Sequence, residues 1–436
     1  MTGRRTGSVR AGQTCPVPPL PSDVPLPDDA AHPHASTDPS IAARDRLLAG
    51  LERFSPDAPS GPEHLAGATR DPDPTLVAVD ATDRLLLDEA ASALATAGPG
   101  EVVVIDDRFG ALTLGAAVAH GLTGLRVHQD AVTGEVALDR NAREAARRAF
   151  PGLDATFTHL PPGEDLLRGA RVVLLQLPRS LAALRDVAEH VARFAAPDVV
   201  VLAGGRVKHM TTAMNDVLAE SFTDVRASLA RQKSRVLVAR GPRPGTGLTY
   251  PVTEHLAVLD LDVVAYGAAF AGASLDLGTR FLLGFLDRVS PGARDAVDLG
   301  CGTGLLAVSF ARARADAVVV ATDQSEAAVR SARATAVAGG VGDRVRVVRD
   351  DVGSSLADRS ADVVLCNPPF HQGAALSTDA AHRMFAAAGR VLRPGGELWT
   401  VYNSHLRYRP ALERAVGPTT QEGRDPRFTV TRSVAR

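Results

Sequence analysis

Ala296-Val297-Asp298-Leu299-Gly300-Cys301-Gly302-Thr303-Gly304 reads as a buried strand running into a tight loop, and Leu305 to Ala313 continues it as a helix. Such a unit turns backbone N–H groups and a helix N-terminus toward whatever lies above the loop. The glycine spacing separates two cofactor classes. A dinucleotide fingerprint needs its third glycine where this chain has Leu305. Asp298, just ahead of Gly300, Gly302 and Gly304, would repel a pyrophosphate and attract a cation. S-adenosylmethionine, which carries a sulfonium and an ammonium, fits that requirement.

Working outward, the next strand, Ala317 to Thr322, delivers Asp323 at its carboxyl end, where an acid accepts both hydroxyls of a ribose. A third strand, Val345 to Val348, leads to Asp350-Asp351, one of which is expected to meet the adenine amino group. A fourth, Asp362 to Cys366, ends in Asn367-Pro368-Pro369-Phe370. This turn suits transfer onto nitrogen. An amine conjugated to a π-system attacks poorly until its two N–H bonds are held, here by Asn367 Oδ1 and the Pro368 carbonyl. Pro368 and Pro369 bring no competing N–H and stiffen the turn. Phe370 offers a face for a planar base, an interaction worth about 1–3 kcal/mol in single-strand binders. Neither a protein nucleophile nor a metal is required, because proximity supplies most of the gain.

The chain of 436 residues has room for two domains. No apolar run is long enough to cross a bilayer and the N-terminus lacks a signal-peptide core, so a cytoplasmic protein without a membrane partner is expected. Cys15, Cys301 and Cys366 are too few and too scattered for a disulfide framework or a zinc site, and the twelve histidines show no metal-ligand spacing. A net charge of −2 does not announce a nucleic-acid binder. Locally, Arg231, Lys233, Arg235, Arg240 and Arg243 lie close together, as do Arg407 and Arg409, and such clusters suit phosphates.

Residues 1–71, rich in Pro, Asp, Ser and Ala, read as a disordered tail with one short helix at Ile41 to Arg53. Residues 72–240 then alternate strands (Val102 to Ile105, Leu125 to His128, Val172 to Leu175, Val199 to Leu202) with alanine-rich helices. That alternation implies an α/β fold with a mainly parallel sheet. Gly241-Pro242-Arg243-Pro244-Gly245 opens a linker expected over 241–268, and 269–436 form the second α/β unit. The strand ends repeat: Asp106 stands 192 residues before Asp298, Asp130 193 before Asp323, and Gln176 191 before Asn367. A nearly constant offset points to duplication. In the first half the loop reads Asp106-Asp107-Arg108-Phe109-Gly110 and the turn Gln176-Leu177-Pro178-Arg179, so the fold is expected to persist there without the activity. Two roles stay open for that half, an RNA-binding surface favoured by Arg108, Arg179, Arg206 and Lys208, or a packing partner.

These residues resemble the bacterial ribosomal RNA guanine-N2 methyltransferases built from two tandem methyltransferase domains. The stretches that carry the resemblance are Asp80 to Leu86, Phe109 to Leu112, Leu177 to Leu184, Leu275 to Phe281, Asn367 to Gln372 and Asn403 to Tyr408. It implies two Rossmann-like class I methyltransferase domains, the N-terminal one degenerate, and transfer from S-adenosylmethionine to the exocyclic N2 of a guanine in ribosomal RNA. The first-half motifs are closer to the 23S branch than to the 16S branch. It also implies that His371, Arg280, Asn403 and Tyr408 line the substrate and that the protein is a monomer. The family's Arg-Asp pair ahead of Leu275 is here Gly272-Ala273. Rival readings are a 16S enzyme, a protein glutamine or DNA adenine N-methyltransferase, and a non-catalytic RNA-binding ribosome-assembly protein.

Overall fold

The computed structural model describes residues 38–55, 69–70, 77–369 and 374–436. Two seven-stranded sheets succeed one another along the chain. The first is built from β1 (Val102–Ile105), β2 (Leu125–His128), β3 (Phe157–His159), β4 (Val172–Gln176), β5 (Val200–Arg206), β6 (Phe222–Ala227) and β7 (Ser234–Pro242), in the order β3-β2-β1-β4-β5-β7-β6. A hairpin of β8 (Val252–Leu256) and β9 (Leu261–Ala265) follows. The second sheet contains β10 (Asp295–Leu299), β11 (Val318–Asp323), β12 (Val345–Arg349), β13 (Ala361–Cys366), β14 (Leu392–Asn403), β15 (Thr419–Arg424) and β16 (Phe428–Val434). Its order, β12-β11-β10-β13-β14-β16-β15, repeats the first. In each sheet five strands run parallel, the next runs antiparallel to them, and the edge strand pairs antiparallel with that one. Central strands such as β1, four buried aliphatics in a row, are apolar on both sides because helices cover both faces.

The helices used below are α1 (Pro39–Gly50), α2 (Ala81–Leu94), α3 (Ala111–His120), α4 (Val132–Arg148), α5 (Leu277–Leu283), α6 (Leu305–Ala313), α7 (Glu326–Ala338) and α8 (Ala374–Val391). Two domain limits expected from sequence need correction. Helix α1 is no part of a tail, because Asp38 caps it and Leu47 and Leu48 are buried in the core of the first half. Within the expected 241–268 linker, β9 puts Leu261, Val263 and Ala265 into the core of the second half. Composition hid both, since each segment is short and bounded by turn-forming residues. Among the described residues, no helix is long and apolar enough to cross a membrane, and no group of His, Cys, Asp or Glu side chains is arranged to hold a metal ion.

Strand register corrects the internal repeat. Ile105 is paired with His128 and Leu175, as Leu299 is with Thr322 and Cys366. The two loops are therefore equal in length, 106–110 against 300–304, and both end on a left-handed glycine that begins a helix, Gly110 at φ 90° and Gly304 at φ 82°. Asp106 consequently matches Gly300, the counterpart of Asp298 is Val104, and that of Asp323 is Gln129. Reading the acids as equivalents gave offsets one or two residues short; Gln176 and Asn367 do correspond.

The halves meet through equivalent β–α turns. Val132 N donates to Gln324 O at 2.9 Å and Glu326 N to Asp130 O at 2.8 Å, around an antiparallel bridge of Ala131 with Ser325. Residue by residue this is a pseudo-twofold contact. Side chains reinforce it: Ala327 N donates to Asp130 Oδ1 at 3.0 Å, and Arg349 reaches Asp130 O at 3.1 Å and Glu135 Oε1 at 2.7 Å.

Candidate active site

Four adjacent strands deliver the candidate residues to one edge of the second sheet. Leu299 of β10 is in register with Thr322 of β11 and Cys366 of β13, and Asp323 with Arg349 of β12. The glycine loop, Asp323, Asp350-Asp351 and Asn367 thus leave the sheet side by side. Gly300, Gly302 and Gly304 all have positive φ, 77°, 53° and 82°. Side chains elsewhere leave open space beside Gly302, where a Cβ would meet nothing within 4 Å. Gly304 is glycine for a different reason: a Cβ would stand 3.0 Å from Ala332 Cβ of α7.

Asp298 is fully buried. Its Oδ2 accepts the N–H of Ala307 in the first turn of α6 at 2.9 Å, while Oδ1 has no hydrogen-bond partner among the described residues. Burial, with the nearby Asp323 adding to it, pushes its carboxyl up to about 7. A buried carboxylate with an idle oxygen suits an approaching cation. Asp323 accepts Gly302 N through Oδ2 and Ser325 N through Oδ1, both at 3.0 Å, and burial raises its pKa. It therefore fixes the loop as well as standing at its lip.

The two acids after β12 are both engaged by the chain. Asp350 accepts Ser354 Oγ, Ser355 N at 3.0 Å and Ser355 Oγ at 2.8 Å. Asp351 pairs with Arg383 of α8, and burial raises its pKa against that charge. Burial also pushes the thiols of Cys301 and Cys366 up, so neither supplies a thiolate near neutral pH.

Asn367 is half-buried, with Pro368 buried and Pro369 exposed behind it. Its Nδ2 donates to Thr279 Oγ1 at 3.0 Å and to Asp276 Oδ1 at 3.2 Å, both at the start of α5. Its Oδ1 is buried without a hydrogen-bond partner among the described residues. Sequence reading missed Asp276 and Thr279, although an Asp just before an apolar helical run is a recognisable N-cap. Phe370 and His371 lie outside the described residues. Arg280 is exposed on α5 beside Thr279, and Asn403 ends β14 half-buried. Tyr408 differs from expectation. It is 3% exposed and its ring packs edge-on against Phe385, Tyr402 and His382, which makes it a core aromatic and removes it from a substrate surface.

Residues 260–432 match the methyltransferase small domain and residues 63–243 the RLMG N-terminal domain. The ribosomal RNA large subunit methyltransferase G of Streptomyces avermitilis is 36% identical over 388 residues, 87% of this chain and 98% of the relative. That of Pseudomonas aeruginosa PAO1 is 36% identical over 358 residues, 81% and 92% of the two chains. The chain belongs to the ribosomal RNA large subunit methyltransferase G family. A solved 16S rRNA N2 methyltransferase of T. thermophilus, in complex with AdoMet and guanosine, superposes with a TM-score of 0.65 at 20% identity. It covers 82% of this chain and 92% of that one. At that identity the likeness concerns architecture, and it makes the two sheets the tandem Rossmann-like methyltransferase domains of the family.

Proposed function

We propose that the protein is an S-adenosylmethionine-dependent methyltransferase acting on the exocyclic N2 of a guanine in 23S ribosomal RNA. Membership of the large subunit methyltransferase G family over most of the chain supports the substrate. The observation that carries the chemistry is the idle acceptor Asn367 Oδ1 on the strand beside the glycine loop. The loop fits the cofactor: Gly302 leaves room that a side chain would fill, and Asp298 Oδ1 waits buried for a positive partner.

In this reading Gly300, Gly302 and Gly304 admit the cofactor to the backbone, Asp298 faces its cationic end, and Asp323 the ribose. Asp351 or Asp350 serves the adenine side. When bound, S-adenosylmethionine supplies a methyl carbon activated by sulfonium. Asn367 Oδ1 and the Pro368 carbonyl accept the two N–H bonds of the guanine amine and hold its lone pair toward that carbon. Pro369 stiffens the turn and Phe370 stacks on the extruded base. His371, Arg280 and Asn403 flank the nucleotide. The protein works as a cytoplasmic monomer, the first half standing where a second subunit would pack. The test is mass spectrometry of ribosomal RNA from cells lacking the protein, with complementation by wild type and by Asn367→Ala. A missing N2-methylguanosine restored only by the wild type is expected, and its presence in the deletion strain rejects the substrate. In vitro, Asn367→Ala should lower kcat at least ~10²-fold with cofactor Kd close to wild type, because an orienting acceptor is lost and no cofactor contact is.

A further inference from the structure

We infer that Asp276 and Thr279 are positioning residues that fix which end of the Asn367 amide faces the substrate; the inference rests on the reading of Asn367 given above. An asparagine amide has two ends of nearly equal shape and opposite hydrogen-bonding character, and only its oxygen can receive an amine N–H. The surroundings of Asn367 decide between the two orientations. Asp276 Oδ1 accepts the N–H of Gly278 at 3.0 Å and of Thr279 at 3.1 Å, capping α5. An oxygen already taking two N–H groups is an acceptor, so the Asn367 atom 3.2 Å from it must be a donor. Turning the amide over would set two oxygens against each other. Thr279 Oγ1 at 3.0 Å takes the second hydrogen of the same Nδ2. Both donors of the side chain are consumed on one side and its oxygen is left buried without a partner among the described residues. Such an unpaired buried acceptor is unfavourable. The arrangement becomes reasonable if an amine N–H satisfies it during the reaction.

Two further observations bear on the same contact. A Cβ placed on Gly278 would stand 3.1 Å from Asn367 Oδ1 and 3.3 Å from Nδ2, so the first turn of α5 packs directly on the amide. In the first half Gln176, the counterpart of Asn367, donates through Nε2 to Asp83. Asp83 lies three residues after the N-cap Asp80 of α2, as Thr279 lies three after the N-cap Asp276 of α5. The amide is thus gripped from the same helix position in both halves.

The experiment compares Thr279→Val, Thr279→Ser, Asn367→Ala and the double variant Thr279→Val with Asn367→Ala, in full-length protein with a 23S ribosomal RNA fragment and S-adenosylmethionine. Thr279→Val keeps the shape and removes one acceptor. It should lower kcat several-fold with KM for RNA and cofactor Kd within about twofold of wild type, since Asp276 alone then holds the amide and its hold on the competent orientation loosens. Thr279→Ser should restore kcat. In the Asn367→Ala background Thr279→Val should cause no further loss, the non-additivity expected of residues acting through one another. Wild-type turnover in Thr279→Val, or full additivity of the two substitutions, overturns the inference. A Thr279→Val protein that loses cofactor affinity and thermal stability together with kcat, without rescue by Ser, overturns it too by showing a packing role alone. Undiminished turnover in Asn367→Ala would instead bring down the functional reading on which the inference rests.

Discussion

With Asp298 facing the cationic end of the cofactor, as proposed above, cofactor binding should be a proton-linked event. The Asp298 carboxyl lies at about 7 in place of the usual 3.8, because burial disfavours the charged form and the charge of Asp323 adds to that. A raised carboxyl favours the folded protein in its protonated state. Its contribution to stability is therefore fully present below pH ~4 and is lost as pH rises toward about 7. The upper bound is on the order of 4 kcal/mol, from about three pH units at 1.36 kcal/mol each. A cation brought next to Oδ1 reverses the preference and expels the proton. At pH 7, where the group is about half protonated, binding should release close to half a proton, rising toward one near pH 6. Cofactor affinity should correspondingly climb by up to about tenfold per unit below pH 7 and level off above pH 8. Isothermal titration in buffers of different ionisation enthalpy counts the protons directly. Asp298→Asn should abolish both the release and the pH slope. Zero release between pH 6 and 7 in the wild type, or a release that persists in Asp298→Asn, refutes the assignment of this acid to the cationic end of the cofactor.

Gly304→Ala combines two penalties, a left-handed φ of 82° and a Cβ set 3.0 Å from Ala332 Cβ and 3.1 Å from its Cα. A loss of about 2–4 kcal/mol is expected in urea denaturation, because backbone on α7 must give way; an unchanged midpoint would contradict the packing of α6 on α7. At the junction of the halves, Asp130→Ala removes the acceptor for Ala327 N, and Arg349→Met leaves Glu135 unpaired. Each should weaken cofactor binding a few-fold, at about 1 kcal/mol, since both contacts hold the turn that carries Asp323. Calorimetric affinities equal to wild type would show that this turn keeps its shape without the first half.

Much of the second half was legible because each signal there is local. A strand of apolar residues followed by Gly300, Gly302 and Gly304 fixes a loop within nine residues, and β10, β11, β12 and β13 fall within two residues of their expected limits. The antiparallel strands β15 and β16 escaped notice. Thr419 to Arg424 is polar, and its place at the sheet edge next to β16 is a long-range property that periodicity does not record. The holding of Asn367 by Asp276 and Thr279 spans about ninety residues of chain and has no short-range signature. Tyr408 closes the stretch Asn403 to Tyr408 that carries the resemblance, but a motif does not say whether its aromatic faces a base or the core, and the packing against Phe385 and Tyr402 decides for the core.

Arg108 and Phe109 lead one to expect no activity from the first half, and register adds a further reason. Arg108 does fall at the place of Gly302. An arginine is flexible, however, and its bulk alone would not empty a pocket. Val104 at the place of Asp298 carries no charge, the buried acid of this loop being Asp107, and Gln129 at the place of Asp323 donates its amide hydrogens to Asp107 O and Gly134 O instead of accepting from a loop. A cationic cofactor entering there would find Gln129 in place of the acid at the end of the second strand, and its buried acid moved three residues along the chain. The structural duty of the missing acid is nevertheless kept: Asp107 Oδ2 accepts Thr113 N at 2.7 Å, at the helix position where Asp298 receives Ala307 N. One carboxylate serves two purposes in the second half, tying a helix to the loop and presenting charge to a ligand. In the first half the tie survives, carried by an acid three residues further along, so both halves hold the helix behind the loop by a buried carboxylate.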